Sequence, residues 1–523
     1  MRTTLLSFLS AGLLAMASAQ AAPGSRTVLE TDFNGPEPLK AWSGRASVGP
    51  GRDGRRVALL ESLSPKDSVM ATREIPVADL RGAAVRVSVS LRAEDVGPKP
   101  NVWNGIKVML MCEGPSGTTW PQATLDTGTF DWRQAGVRTR IPEDATRLTL
   151  LLGLELVTGK VWFDEVRVTA VPPPSPDAFR PGQFPPPSDL PRLRGVMISP
   201  DISAESLRVL GREWRANLIR WQLIRPGRVG GPASAESYDQ WLEKELARLE
   251  KALPLCEEYG LRVVLDLHSP PGGGAISGGY VAANDRLFTD PASQRRFVEI
   301  WRTLAARFKG ARPIWGFDLV NEPVDEDAAE SCDDWQGLVA RAAAAVRGVD
   351  PGRLLIIEPA QWGGPEGFAS LRPLPMSNIV YSVHMYLPHA FTHQGVPESG
   401  PPLAYPGVIQ GKAWDKAQLE RALAPVVAFQ QRYGVPIYVG EFSAIRWAPG
   451  DSARHYLADL IDIFEAHGWN WSYHAFREWQ GWSVEHGSQR ENTEPSATQT
   501  NRERLLRGWF ARNAAAPQPP APR

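Results

Sequence analysis

The rhythm of hydrophobic and polar positions changes once along the chain. From about Thr27 to Val171, runs such as AAVRVSVSLRA, IKVMLMCE, TRLTLLLGLEL and VWFDEVRVTAV alternate apolar and polar positions between turn residues, without a helical period. Period two marks half-buried strands, and a succession of short strands predicts an all-β sandwich of jelly-roll type over residues 27–171. Residues 172–191, PPPSPDAFRPGQFPPPSDLP, are dense in proline and carry no apolar period. They are expected to form an extended, semi-rigid linker.

From residue 192 onward strand-like and helix-like segments alternate. Eight apolar runs read as strands: LRGVMIS, ANLIRWQL, LRVVLDLH, PIWGFDLVNE, LLIIEPA, IVYSVHMY, PIYVGEFS and WNWSYHAF. Most of the gaps hold amphipathic helices, at Tyr238 to Tyr259, Ser293 to Phe308, Trp335 to Val346, Lys416 to Tyr433 and Ala453 to His467, with a last helix at Asn501 to Arg512. Such alternation predicts parallel βα units closing into an α/β (β/α)8 TIM barrel over residues 192–513. The tail at 514–523, AAAPQPPAPR, is expected to be disordered.

Composition narrows the partners. A formal net charge of -1 over 523 residues offers no electrostatic case for nucleic acid or an anionic membrane. At the start, Arg2, the apolar run Leu5 to Met16 and the small residues around Ala17-Ser18-Ala19 read as a signal peptide over residues 1–22. Secretion or a periplasmic location is therefore expected, and a monomer. Cys112, Cys256 and Cys332 match no metal spacing; export would permit a Cys256–Cys332 disulfide without implying one.

A barrel of this kind builds its active site at the carboxyl ends of its strands. The polar residues falling there are Arg220, His268, Asn321, Glu322, His384, Tyr386 and Glu441. Glu322 is read as delivered by the end of the strand in Pro313 to Pro323, PIWGFDLVNEP, where partial desolvation would raise its pKa for proton donation. Glu441 closes a second apolar run, GVPIYVGEF. Two carboxylates from separate strands at one barrel mouth fit glycoside hydrolysis. Two other classes compete: a carbohydrate-binding protein on a catalytically silent barrel, and a metal-dependent hydrolase using Asp266, His268 and His384.

On the NEP at Asn321 to Pro323 and the GEF at Gly440 to Phe442, the region resembles glycoside hydrolase family 5, the cellulase and mannanase family. The resemblance implies a retaining enzyme with Glu322 as acid/base and Glu441 as nucleophile, their carboxyl groups ~5 to 5.5 Å apart. It further implies that Arg220 and Tyr386 hold Glu441, that Asn321 binds the sugar 2-hydroxyl, and that His268 and His384 line the subsite. No metal or cofactor is implied. The substrate would be a polysaccharide or oligosaccharide, foremost a β-1,4-glucan cut internally, with β-mannanase and exo-acting β-glucosidase as alternatives. The chain departs from the family at the eighth strand, where His474 stands at the position expected for a sugar-stacking Trp, so Trp479 or Trp482 would have to supply the platform. Upstream, GKVWFDEV at Gly159 to Val166 resembles the final strand of carbohydrate-binding modules, with Trp42, Trp103, Trp120 and Trp132 as candidate sugar platforms.

Overall fold

The computed structural model describes residues 26–172 except 102 and 116, and 190–225, 237–272, 287–325, 332–396 and 400–513. The stretch at 1–22 read as a signal peptide, nearly all of the Pro-rich segment, most of the Gly-rich stretch that follows His268 and the tail lie outside these residues.

Residues 26–171 fold into two antiparallel sheets packed face to face. One places Ser47–Pro50, Arg56–Ser62, Gly159–Val171, Ala84–Val96 and Gly128–Arg140 side by side, with Arg26–Thr31 also paired to Gly159–Val171. The other runs Ser43–Gly44, Ser68–Ile75, Arg147–Glu155, Gly105–Gly114 and Gly117–Thr119. Alternation decides the packing: Val85, Val87, Val89 and Leu91 from the first sheet meet Leu148, Leu150, Leu152 and Leu154 from the second in one core. Of the four candidate tryptophans, Trp103 and Trp120 are exposed, whereas Trp42 packs against that core.

The second region is a closed barrel of eight parallel strands: Arg194–Ile198, Leu218–Gln222, Arg262–Asp266, Ile314–Asp318, Leu354–Ile357, Ile379–Met385, Ile437–Phe442 and Asn470–Phe476. Helices at Tyr238–Tyr259, Pro291–Arg307, Trp335–Arg347, Lys416–Tyr433, Ser452–Ala466 and Asn501–Phe510 surround it. The first of these shows how local sequence sets a boundary. Ser237 and Gln240 form a reciprocal capping box at its start, and Gly260 in the left-handed region ends it.

Inside the barrel, period two stacks side chains in layers. Leu218, Val264, Ile356, Val380 and Tyr438 form an apolar plug near the amino-terminal end. Two residues further along the same strands come Arg220, Asp266, Glu358 and Ser382, all buried, and Asp318 from the fourth strand joins this layer. Polar chemistry therefore sits on an apolar floor, towards the carboxyl ends.

The two regions touch. Arg138 donates to the Cys332 carbonyl at 3.0 Å, and both Arg138 and Arg140 lie 3.4 Å from the Asp334 carboxylate, which also caps the helix at Trp335–Arg347. No disulfide links the three cysteines, all of them buried. Burial raises the Cys112 and Cys256 thiols to about 11 and about 12. The Cys256–Cys332 bridge that export would permit is therefore not formed.

Candidate active site

A cleft of about 880 Å³ opens at the carboxyl ends of the strands, lined among others by His268, Asn321, Glu322, His384, Tyr386, Glu441 and His474. Glu441 reaches it through an irregularity in the ladder. The register between the sixth and seventh strands shifts at Val383/His384, so that His384 faces Glu441. Gly440 permits this approach, because a Cβ there would stand 2.8 Å from His384 Nε2.

Glu322 arrives differently from the expectation. The fourth strand stops at Asp318, and Glu322 lies in a bend four residues later with φ of 46°. That left-handed conformation is uncommon for a residue with a Cβ and signals a constrained position. The Glu358 carboxylate accepts from the Glu322 backbone N–H at 2.8 Å, which fastens the bend to the fifth strand's end. The support is thus a hydrogen-bonded turn rather than a strand.

At the centre is Arg220, with a fully buried side chain. Its Nε donates to Asp318 at 3.0 Å, Nη1 to Glu441 Oε1 at 2.5 Å, and Nη2 to Asn321 and Glu358, each at 3.0 Å. Asp266 lies 3.2 Å away and also meets His268 Nδ1 at 2.8 Å. A buried guanidinium is tolerable only with such compensation. Asp318, Asp266 and Glu358 are the residues that sequence reading missed as a set, yet each carried a signal: a carboxylate within or directly after an apolar run.

The two carboxylates at the mouth have opposite environments. Burial pushes the Glu322 carboxyl up, and the hydrogen bond from His384 Nδ1 at 2.8 Å only partly counters it. Burial would also raise Glu441, but His384, His474 and Arg220 outweigh it and hold that carboxyl well below the usual range. Tyr386 donates to Glu441 Oε2 at 2.8 Å, and burial together with Glu441 keeps its phenol protonated. Glu322 and Glu441 each place an oxygen within 4.8 Å of the other and of a His384 nitrogen.

His384 links both carboxylates to the Arg220 network. Its Nε2 lies 3.1 Å from Glu358, close enough for an ion pair though not aligned as a hydrogen bond. Its ligand atoms and those of Asp266 therefore face protein partners, Arg220 included, and do not converge with His268 as a metal triad. Trp479 is not in the cleft lining; it stands edge-on to Trp447 and Trp482. Trp482 does line the cleft, stacked at 5.5 Å on Tyr386 and 4.6 Å from His474.

The model of the cellulase family, glycosyl hydrolase family 5, matches residues 187–479. The chain belongs to this family. It is accordingly a glycoside hydrolase of a retaining family. Endoglucanase C of Acetivibrio thermocellus is 29% identical over 268 residues, covering 46% of this chain and 76% of that protein. Cellodextrinase A of Ruminococcus flavefaciens is 24% identical over 230 residues, or 43% of this chain and 66% of that one. A solved hyperthermophilic endo-β-1,4-glucanase is 21% identical with a TM-score of 0.47, covering 60% of this chain and 96% of that one. All these likenesses cover less of the chain than the barrel and its neighbouring sandwich together.

Proposed function

We propose that this family 5 enzyme is a secreted endo-β-1,4-glucanase in which Glu441 is the nucleophile and Glu322 the acid/base. The observation that carries the reading is a pair of carboxyl groups with oxygens within 4.8 Å, one pushed towards the neutral acid and the other held ionised. Retaining glycosidases need carboxyl groups only ~5 to 5.5 Å apart, against ~6.5 to 9.5 Å for inversion. In the first step a Glu441 oxygen attacks the anomeric carbon while Glu322 gives its proton to the departing glycosidic oxygen. In the second, the Glu322 carboxylate takes a proton from water, whose oxygen displaces Glu441 from the anomeric carbon.

Supporting roles follow from reach. Arg220 and Tyr386 neutralise and aim Glu441. Asn321, anchored by Arg220, is presented to the 2-hydroxyl, and His268 to another hydroxyl from the cleft wall. Glucan as the substrate is supported by the endoglucanase names among the relatives. Secretion is supported by the signal-like start of the sequence. Among the described residues no helix is long and apolar enough to cross a membrane.

The test is a panel of soluble cellulose derivative, mannan and aryl cellobioside with product sizes recorded. A rapid fall in viscosity of the cellulose derivative, with oligosaccharides of mixed length, is expected. Release of glucose alone from chain ends would remove the endo assignment, and faster cleavage of mannan would remove the glucan assignment. A chelator is expected to leave the rate unchanged, since both steps run on carboxyl groups.

A further inference from the structure

Donor counting at the eighth strand assigns a charge to the cleft floor. Glu441 Oε2 accepts the single hydroxyl proton of Tyr386 at 2.8 Å. The same phenol oxygen lies 2.6 Å from His474 Nδ1, which is itself 3.1 Å from Glu441 Oε2. With the Tyr386 proton spent on the carboxylate, Nδ1 must carry a hydrogen of its own to face both oxygens. On the other side of the ring, Nε2 lies 3.4 Å from the carboxylate of Glu478, so it too must be a donor. Both ring nitrogens are then protonated, and the imidazole is a cation between two carboxylates.

We infer that His474 is a positioning residue for Glu441, a second cationic clamp opposite Arg220, and that Glu478 anchors its ring from behind. The inference rests on Glu441 being the nucleophile. Arg220 holds Oε1 and the Tyr386–His474 pair holds Oε2, so each oxygen of this carboxylate has a charged or charge-linked donor. Trp482 packs on both Tyr386 and His474 and restricts their rotation. The groups facing His474 are Glu441, Glu478, Tyr386 and His393. Burial and nearby cationic groups depress His393 to about 4, so it adds no charge at neutral pH. Burial would lower His474 as well, but Glu478 and Glu441 raise it to about 10. The cation thus persists across the working range of a glycosidase. A family position expected to offer a stacking face instead offers a charge that serves the nucleophile.

The experiment is the pH profile of kcat/KM on an aryl cellobioside for the full chain and for His474→Gln and Glu478→Gln, with the thermal unfolding midpoint of each. Removing an opposite charge this close raises a carboxyl by about 1 unit or more. The acid limb of His474→Gln should therefore move up by about that amount. Glu478→Gln should move it the same way by less, because the ring remains but is less firmly charged. The rate loss should fall mainly on kcat, with the unfolding midpoint little changed. An acid limb that stays in place in both variants would overturn the inference, whatever the loss of rate. Glu441→Gln serves as the separate control: if it keeps activity, the nucleophile assignment fails, whereas an inactive Glu441→Gln with unshifted limbs in the other two variants defeats only the role of His474.

Discussion

Glu322 and Glu441 share one cleft and one family of carboxyl chemistry, yet their proton affinities are displaced in opposite directions. The difference lies in what surrounds them. Glu441 sits on a strand among Arg220, Tyr386 and His474, every one of them a donor. Glu322 sits in a strained bend with His384 as its neighbouring donor and the Glu358 carboxylate fixing its backbone. Burial acts on both in the same direction, so donors and charges, not depth, separate a carboxyl held towards its ionised form from one pushed towards its protonated form.

The most severe way to break this comparison is Glu441→Gln, which removes the oxygen proposed to attack. Turnover should fall by about 10⁴-fold or more, with binding of a cello-oligosaccharide still measurable by calorimetry. Glu322→Gln should cost about 10²- to 10⁴-fold on natural substrate, the usual worth of general acid catalysis. The loss in the first step should shrink on a dinitrophenyl glycoside, whose leaving group departs without a proton. If both variants lose equally on both substrates, the two carboxyl groups do not have distinct roles.

A finer separation comes from His384, which lowers both carboxyl groups. With His384→Gln each loses a stabilising partner for its ionised form, so both carboxyl pKa values rise. The acid limb, set by ionisation of Glu441, and the basic limb, set by loss of the Glu322 proton, should both move to higher pH. This contrasts with His474→Gln, expected to move the acid limb alone, since His474 contacts Glu441 and not Glu322. A His384→Gln profile in which only one limb moves would mean that the histidine serves one carboxylate.

Much of this arrangement was legible before the fold was known. Period-two alternation marked the sandwich strands, and eight apolar runs separated by amphipathic segments marked the barrel. Glu322 and Glu441 stood out because each interrupts or closes such a run beside a turn residue. Glu358 carried the same signal in LLIIEPA, as did Asp266 in LRVVLDLH and Asp318 in PIWGFDLVNE. They were not read as a unit because nothing in a linear chain indicates that three carboxylates converge on one guanidinium. That convergence depends on strand neighbours closing a barrel around Arg220. The end of the fourth strand at Asp318, short of Glu322, was equally hidden. The Glu322 backbone N–H donates to the Glu358 carboxylate just past the fifth strand, which fixes that bend, and donor and acceptor are 36 residues apart.

By itself the sequence determined the two architectures, the end of the barrel where chemistry collects and the two carboxyl residues that face each other there. These follow from periodicity and from the rule that parallel barrels work at their strand carboxyl ends, both local properties of the chain. Tertiary structure alone decided which carboxyl is pushed towards its protonated form and which groups surround His474 on the eighth strand. Proton affinity depends on the charges within a few ångströms in a dry interior, and those neighbours, Arg220, His384, His474 and Glu478, come from three separate barrel strands and the segment after the eighth.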